Sequence, residues 1–178
     1  MKKTLHILLA VSLFFSSGFT KVSNPDEVDT NAKIKAVFIY NFMKNIDWPT
    51  SYKSKVFTIG ILGDNKSLSS ELNKMSEIKK IANQSFTIVD YKNINEIEVP
   101  HILCITYEES NKIEAVVTKL KGKSTLIVTE KPGMAKKGAA INFVVIDSRQ
   151  NFELNKNTIQ KHNLKVSTTL KNLAIMVN

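Results

Sequence analysis

The sequence predicts a single α/β domain of three layers, a mainly parallel central sheet flanked by helices, with one antiparallel edge hairpin. Three observations lead there. Apolar runs of strand length recur at 56–62, 101–107 and 125–129, with the near-continuous character of strands covered on both faces. Segments with apolar residues at helical spacing stand between them, so the strands are joined by crossovers. Two further strand-like runs, 140–146 and 152–154, are separated only by a short polar turn, which reads as a hairpin.

The chain opens with Lys2 and Lys3 ahead of an apolar run over 5–15 that is broken only by His6 and Ser12. That is the pattern of a secretory signal peptide, taken as 1–20, with an uncleaved anchor as the alternative. The run is shorter than the ~20 residues of a spanning helix, so no stable membrane insertion is expected after cleavage. Residues 21–30 are polar and contain Pro25, and they read as a flexible lead-in to a domain over 31–178.

The first helix is predicted within 32–49. At 100° per residue, Phe38, Ile39, Phe42, Met43 and Ile46 share one arc, and Lys33, Asn41, Lys44 and Asn45 lie opposite. Thr30 or Asn31 serves as the N-cap, and Pro49 stops the helix at or before Trp48. Ile34, Val37 and Tyr40 fall on or beside the polar arc, where burial in the same core is hard to arrange. Either a second layer or a partner, a second copy of the chain included, is expected over them.

The strand at 56–62 ends in Gly63-Asp64-Asn65, and Leu68, Leu72 and Met75 then recur at helical spacing behind Ser67. A short strand is expected at 86–89 and another at 101–107. A helix follows with Ile113, Val116, Val117 and Leu120 on one face and Gly122 as its stop. The strand at 125–129 leads through Pro132-Gly133 to the edge hairpin. Asn155 is positioned to cap a short helix. Val166, Leu170, Leu173, Ala174 and Val177 predict a final amphipathic helix.

Composition excludes several functions. The 178 residues carry a formal charge of +9, which becomes +7 when Lys2 and Lys3 leave with the signal peptide. The lysines are scattered and Arg149 is the sole arginine, so nucleic acid is not an expected partner; a weak attraction to anionic membrane is the consequence. Cys104 is the only cysteine, which leaves no internal disulfide and no thiol beside the leader to carry a lipid. His101 and His162 are the only histidines beyond the leader, too few for a zinc site; no metal and no cofactor are expected.

His101 opens its strand after Pro100 and reads as a strand-end histidine bonded to backbone, since no serine or cysteine nucleophile is presented beside it. Cys104 reads as an inert buried thiol. Gly63, Asp64 and Asn65 sit where open α/β sheets hold ligands, yet lack the glycine patterns of phosphate loops. They read first as a turn, with a ligand loop as the alternative. Lys131, Lys136 and Lys137 form a solvated basic loop around Pro132-Gly133 and Gly138. Adjacent Glu108 and Glu109 diverge and make no acid/base pair. The chain therefore reads as a binding or regulatory module, not an enzyme.

The order of features carries a resemblance: FIYNFMKNIDWP on the first helix, a strand ending in GILGD, HILCI in mid-chain, STLIVTE, GMAKKGAAINFVV, NFELN and a closing STTLKNLA. It resembles the YfiR-like family of exported bacterial proteins over about 32–174. By that resemblance Asn41, Phe42, Trp48, Pro49, Gly63, His101, Gly138, Phe152, Asn155 and Leu170 are motif positions. The resemblance implies a compact α/β fold that tends to dimerise, a periplasmic location, and repression of an inner-membrane diguanylate cyclase through the cyclase's periplasmic part. A sensor kinase is the other expected kind of partner, and a small-molecule-binding protein using the crevice near Gly63 is the alternative function. Pro100 stands where the family commonly has cysteine, so the disulfide control the family suggests is not available here.

Overall fold

The computed structural model describes residues 30–53 and 56–178. The expected signal peptide at 1–20 lies outside the described residues, as does the lead-in at 21–30 apart from Thr30, which opens the first helix. Among the described residues no helix is long and apolar enough to cross a membrane.

Helix α1, Thr30–Asn45, buries Ala32, Ala36, Ile39, Phe42 and Met43. These recur every three or four residues and so share one face. Ile46 was expected to continue the helix; instead it opens β1, Ile46–Asp47, which pairs antiparallel with Val166 and Lys165 in a small second sheet. Ile46 is still buried. Pro49 bars further helix at Trp48 and starts a new turn, α2 (Thr50–Lys53), by accepting the Tyr52 amide on its carbonyl at 2.9 Å.

Strands and helices then alternate through β2 (Phe57–Leu62), α3 (Lys66–Ile78), β3 (Phe86–Tyr91), β4 (Ile102–Ile105), α4 (Ile113–Lys119), β5 (Leu126–Thr129) and β6 (Ile141–Ile146). Asn65 caps α3: its side-chain oxygen accepts the Leu68 amide at 3.0 Å. β7 (Arg149–Asn155), α5 (Lys156–Lys161), β8 (Lys165–Val166), α6 (Thr168–Leu173) and β9 (Ile175–Val177) complete the chain.

The main sheet runs β3-β2-β4-β5-β6-β7-β9, parallel from β3 through β6. The order reverses between β2 and β4, which is the switch point of an open α/β sheet. β6 and β7 form the expected antiparallel hairpin, and its turn residues Asp147 and Ser148 both take positive φ (49° and 59°), the geometry of a tight two-residue hairpin loop. The hairpin is not the edge, because β9 adds in parallel outside β7.

The predicted final helix over 166–177 shrinks to α6. Ser167 caps it by accepting the Leu170 amide, and Ala174 is already extended (φ −92°, ψ 150°). Val166 and Val177, placed on that helix by periodicity, lie in β8 and β9. Open sheet edges on both sides of α6 satisfy the backbone of these β-branched ends better than a frayed helix does.

Side-chain alternation builds the layers. Phe57, Ile59 and Ile61 of β2, Ile102 and Cys104 of β4, and Leu126 and Val128 of β5 pack with the residues of α1 and α3. Leu62, Leu103, Ile105 and Ile127 pack with Ile113 and Val116 of α4 and with Leu120 at its C-cap on the opposite face. The central strands are therefore buried on both sides, as their apolar runs require.

Candidate functional site

Three regions collect the residues singled out by the sequence. The first is at the N-terminal ends of β2 and β4. His101 Nδ1 accepts the Thr58 amide at 3.1 Å, and its Nε2–H donates to the Tyr52 carbonyl at 2.9 Å. An amide must donate and a carbonyl must accept, so the two bonds together fix the neutral Nε2–H tautomer. The imidazole stacks on Phe57 at 4.3 Å between centroids, and Trp48 meets Phe57 edge-on at 5.0 Å and 85°. Tyr52 closes the cluster, its hydroxyl accepting the Ser124 amide at 3.1 Å. Among the described residues the Trp48 indole N–H has no hydrogen-bond acceptor; its aromatic surroundings supply none. A groove of about 420 Å³ opens over this cluster, walled by Ile46, Ile81 and Gln84 and rimmed by the Asp47–Lys53 pair at 2.7 Å.

The second region is the C-terminal ends of the same strands. Gly63 has φ +100°, and a Cβ there would lie 2.3 Å from Thr106 Oγ1 and 2.7 Å from Glu109 Cγ. The chain's own side chains thus fill the side of the switch point that faces β4. Asn65 is engaged as the α3 cap and Asp64 is exposed. A separate cleft of about 480 Å³ lies on the β3 side, lined by Gly63, Asp64, Asn65, Asp90 and Lys92. Beneath α1, Lys35 donates to Glu130 Oε2, and Glu130 Oε1 accepts the Tyr107 amide at 3.1 Å. Cys104 lies under this pair; burial, and then the Glu130 charge, push its thiol up from 9.0 to about 12, against a smaller opposing effect of Lys35.

The third region is the outward face of α1. Ile34 is 39% exposed and Val37 47%. Tyr40 is not equivalent to them: it is half-buried, packs against the core, and donates its hydroxyl to the Lys80 carbonyl at 3.2 Å, with Lys44 over its ring. The expected trio is divided between solvent and the seam with α3.

The remaining motif positions serve the frame. Phe42 and Phe152 are in the core, 5.1 Å apart between centroids. Phe38, expected in the core, is half-buried and packs edge-on against Phe143 and Phe152. Asn41 is half-buried, and its carbonyl accepts from the Asn45 side chain. Asn155 caps α5 through the Thr158 amide and donates to the Ala135 carbonyl. Gly138 takes φ +116° against Val117, and Leu170 anchors α6 in the core.

Sequence reasoning missed Lys35 and Glu130. A signal existed: Lys35 precedes Ile39 and Phe42 by four and seven residues, so it shares their buried face, and a lysine there needs an anion. Its partner, 95 residues away, has no such signature. Tyr52 and Phe57 carry no such signal either, since nothing local in the sequence ties them to His101.

No curated protein matches the chain. A family model described as YfiR/HmsC-like matches residues 32–175. That span runs from the first buried residue of α1 to the first residue of β9, and the chain belongs to the YfiR/HmsC-like family.

Proposed function

We propose that this protein is a periplasmic regulator without a catalytic step of its own. It binds the periplasmic part of an inner-membrane signalling protein, a diguanylate cyclase or a sensor kinase, and represses it. The observation that carries this reading is the family match across 32–175. The apolar residues exposed on α1 support it, because a binding protein needs surface that pairs with a partner. A regulator of this kind acts through the difference in its affinity for the active and inactive partner.

Deleting the gene and measuring intracellular cyclic di-GMP and the autophosphorylation of neighbouring kinases tests the proposal. A typical coupling predicts a rise of about tenfold in one of these outputs, reversed by the exported chain and not by a chain lacking 1–20. Unchanged outputs would defeat it.

The cleft of about 480 Å³ beside Gly63 favours a second reading, a periplasmic small-molecule-binding protein. Its volume is within the ordinary range for ligand pockets. A ligand held there raises the melting temperature of the isolated protein by mass action, which a protein that needs only a macromolecular partner does not show.

A further inference from the structure

We propose that the partner-binding surface is composite, formed by the outward face of α1 together with the tip of the β6–β7 hairpin, and that it receives an apolar protein surface with an acidic rim. The inference rests on the regulatory reading above and adds to it where the partner sits and what it presents.

The register brings the two parts together. Phe38 packs on Phe143 and Phe152, and Phe42 on the same two rings. α1 runs against the direction of β6: its start reaches Glu130 beyond the C-terminal end of β5, and its end leads to Trp48 beside His101, which precedes β4. One helical turn before Phe38 is Ile34, and two residues beyond Phe143, on the same sheet face, is Val145. Both steps lead toward the same end of the molecule. Val145 is 68% exposed and Ile146, its neighbour at the tip, 45%. Ile34, Val37 and Val145 are thus three large aliphatic side chains left uncovered at one corner, with Ile146 exposed on the opposite sheet face at the tip.

The charges state what covers them. α1 contains no acidic residue, while Lys33 and Lys44 are exposed on it. At the tip, Arg149 is exposed on the sheet face away from α1, with its pair Ile146, and Asp147 is exposed at the turn, so the charge of the α1 side is set by its lysines. A second copy of the chain would oppose one basic face to another, which is unfavourable. A membrane surface is matched by Trp, Phe and Leu on an amphipathic helix, whereas here the exposed residues are Ile and Val and the only tryptophan is buried. A protein surface with apolar residues at its centre and Asp or Glu at its rim meets both conditions.

A photoreactive benzoylphenylalanine placed at Ile34, Val37 or Val145 of the full chain, in the producing cells, tests this; Ile78 and Leu173, exposed elsewhere, are the controls. The expected result is an adduct from the first three positions with one and the same protein, its cross-linked peptide bearing Asp or Glu beside apolar residues. Lys33→Glu should lower the yield about tenfold through like-charge contact. Adducts with a second copy or with lipid would overturn the inference, as would adducts from Ile78 or Leu173 alone, while the regulatory reading survived a partner found there. No adduct with any membrane signalling protein from all five positions would defeat both.

Discussion

At the N-terminal ends of β2 and β4 the chain closes on itself through rings and main-chain hydrogen bonds; at their C-terminal ends it closes through an ion pair and a glycine pressed against a threonine. The first closure is neutral. His101 ties the Tyr52 carbonyl to the Thr58 amide across the start of β2, and Phe57 and Trp48 pack around it. The second is charged, with Lys35 of α1 reaching Glu130, which in turn holds the Tyr107 amide. Open α/β sheets usually keep the C-terminal crevice for ligands. Here that crevice is filled between β2 and β4 and displaced to the β3 side, and a second groove opens over the aromatic end.

The sharpest way to break the comparison is at Gly63. A valine there would force a β-branched residue to φ +100° and drive its Cβ into Thr106 Oγ1. Backbone strain and overpacking together should lower stability by about 4 kcal/mol, read as a fall in the urea midpoint. If Gly63 instead served an open ligand loop, valine would leave stability intact and abolish only binding.

At the other end, His101→Ala leaves a part-buried amide and carbonyl without this partner and removes a ring from the Phe57 stack. The expected loss is about 3 kcal/mol. Because Trp48 is the only tryptophan and is 6.2 Å from this ring, its fluorescence should shift to longer wavelength in the folded variant. An unshifted emission would mean that the cluster closes without the histidine.

Which of these features sequence reveals depends on whether their cause is local. The hairpin, the α5 cap at Asn155 and the buried central strands were legible because turn residues, a capping side chain and a continuous apolar run each act within a few positions. Val166 and Val177 misled because the spacing of a helix and of two short strands flanking one are hard to separate over twelve residues. The edge of β7, not periodicity, decides that Ile175–Val177 is a strand. The site followed the same rule. Ile34 and Val37 could be read as outward by angle alone, but Tyr40 is turned into the α3 seam by the Lys80 carbonyl, a partner forty residues away. Lys35 and Glu130 meet only once the sheet order is set.

Lys35→Met and Glu130→Gln test the charged closure directly. Their side chains are 13% and 21% exposed, so either single change leaves a partly desolvated charge and should cost about 2 kcal/mol. The double variant should lose less than the sum, since neither charge is then left alone. Added salt should weaken the pair only slightly, because it lies largely out of solvent. Additive losses would mean that the two residues act separately and that the strand-end closure is not electrostatic.

The smallest effect lies beneath that pair, at Cys104. Burial is the main cause that lifts its thiol from 9.0 to about 12, and the Glu130 charge adds to it. A raised value means that the folded chain binds the proton more tightly than the unfolded chain. The resulting stability is fully present below pH 9 and is lost as pH rises toward about 12. Cys104→Ala removes this dependence while opening a small cavity of its own. The stability gap between wild type and C104A should therefore narrow by about 1 kcal/mol between about pH 8 and pH 10. At neutral pH, iodoacetamide should label Cys104 only as fast as the protein unfolds. Rapid labelling of the native chain would show that the end of the sheet beneath Lys35 and Glu130 opens more readily than the aromatic end, and would reverse the order of rigidity between them.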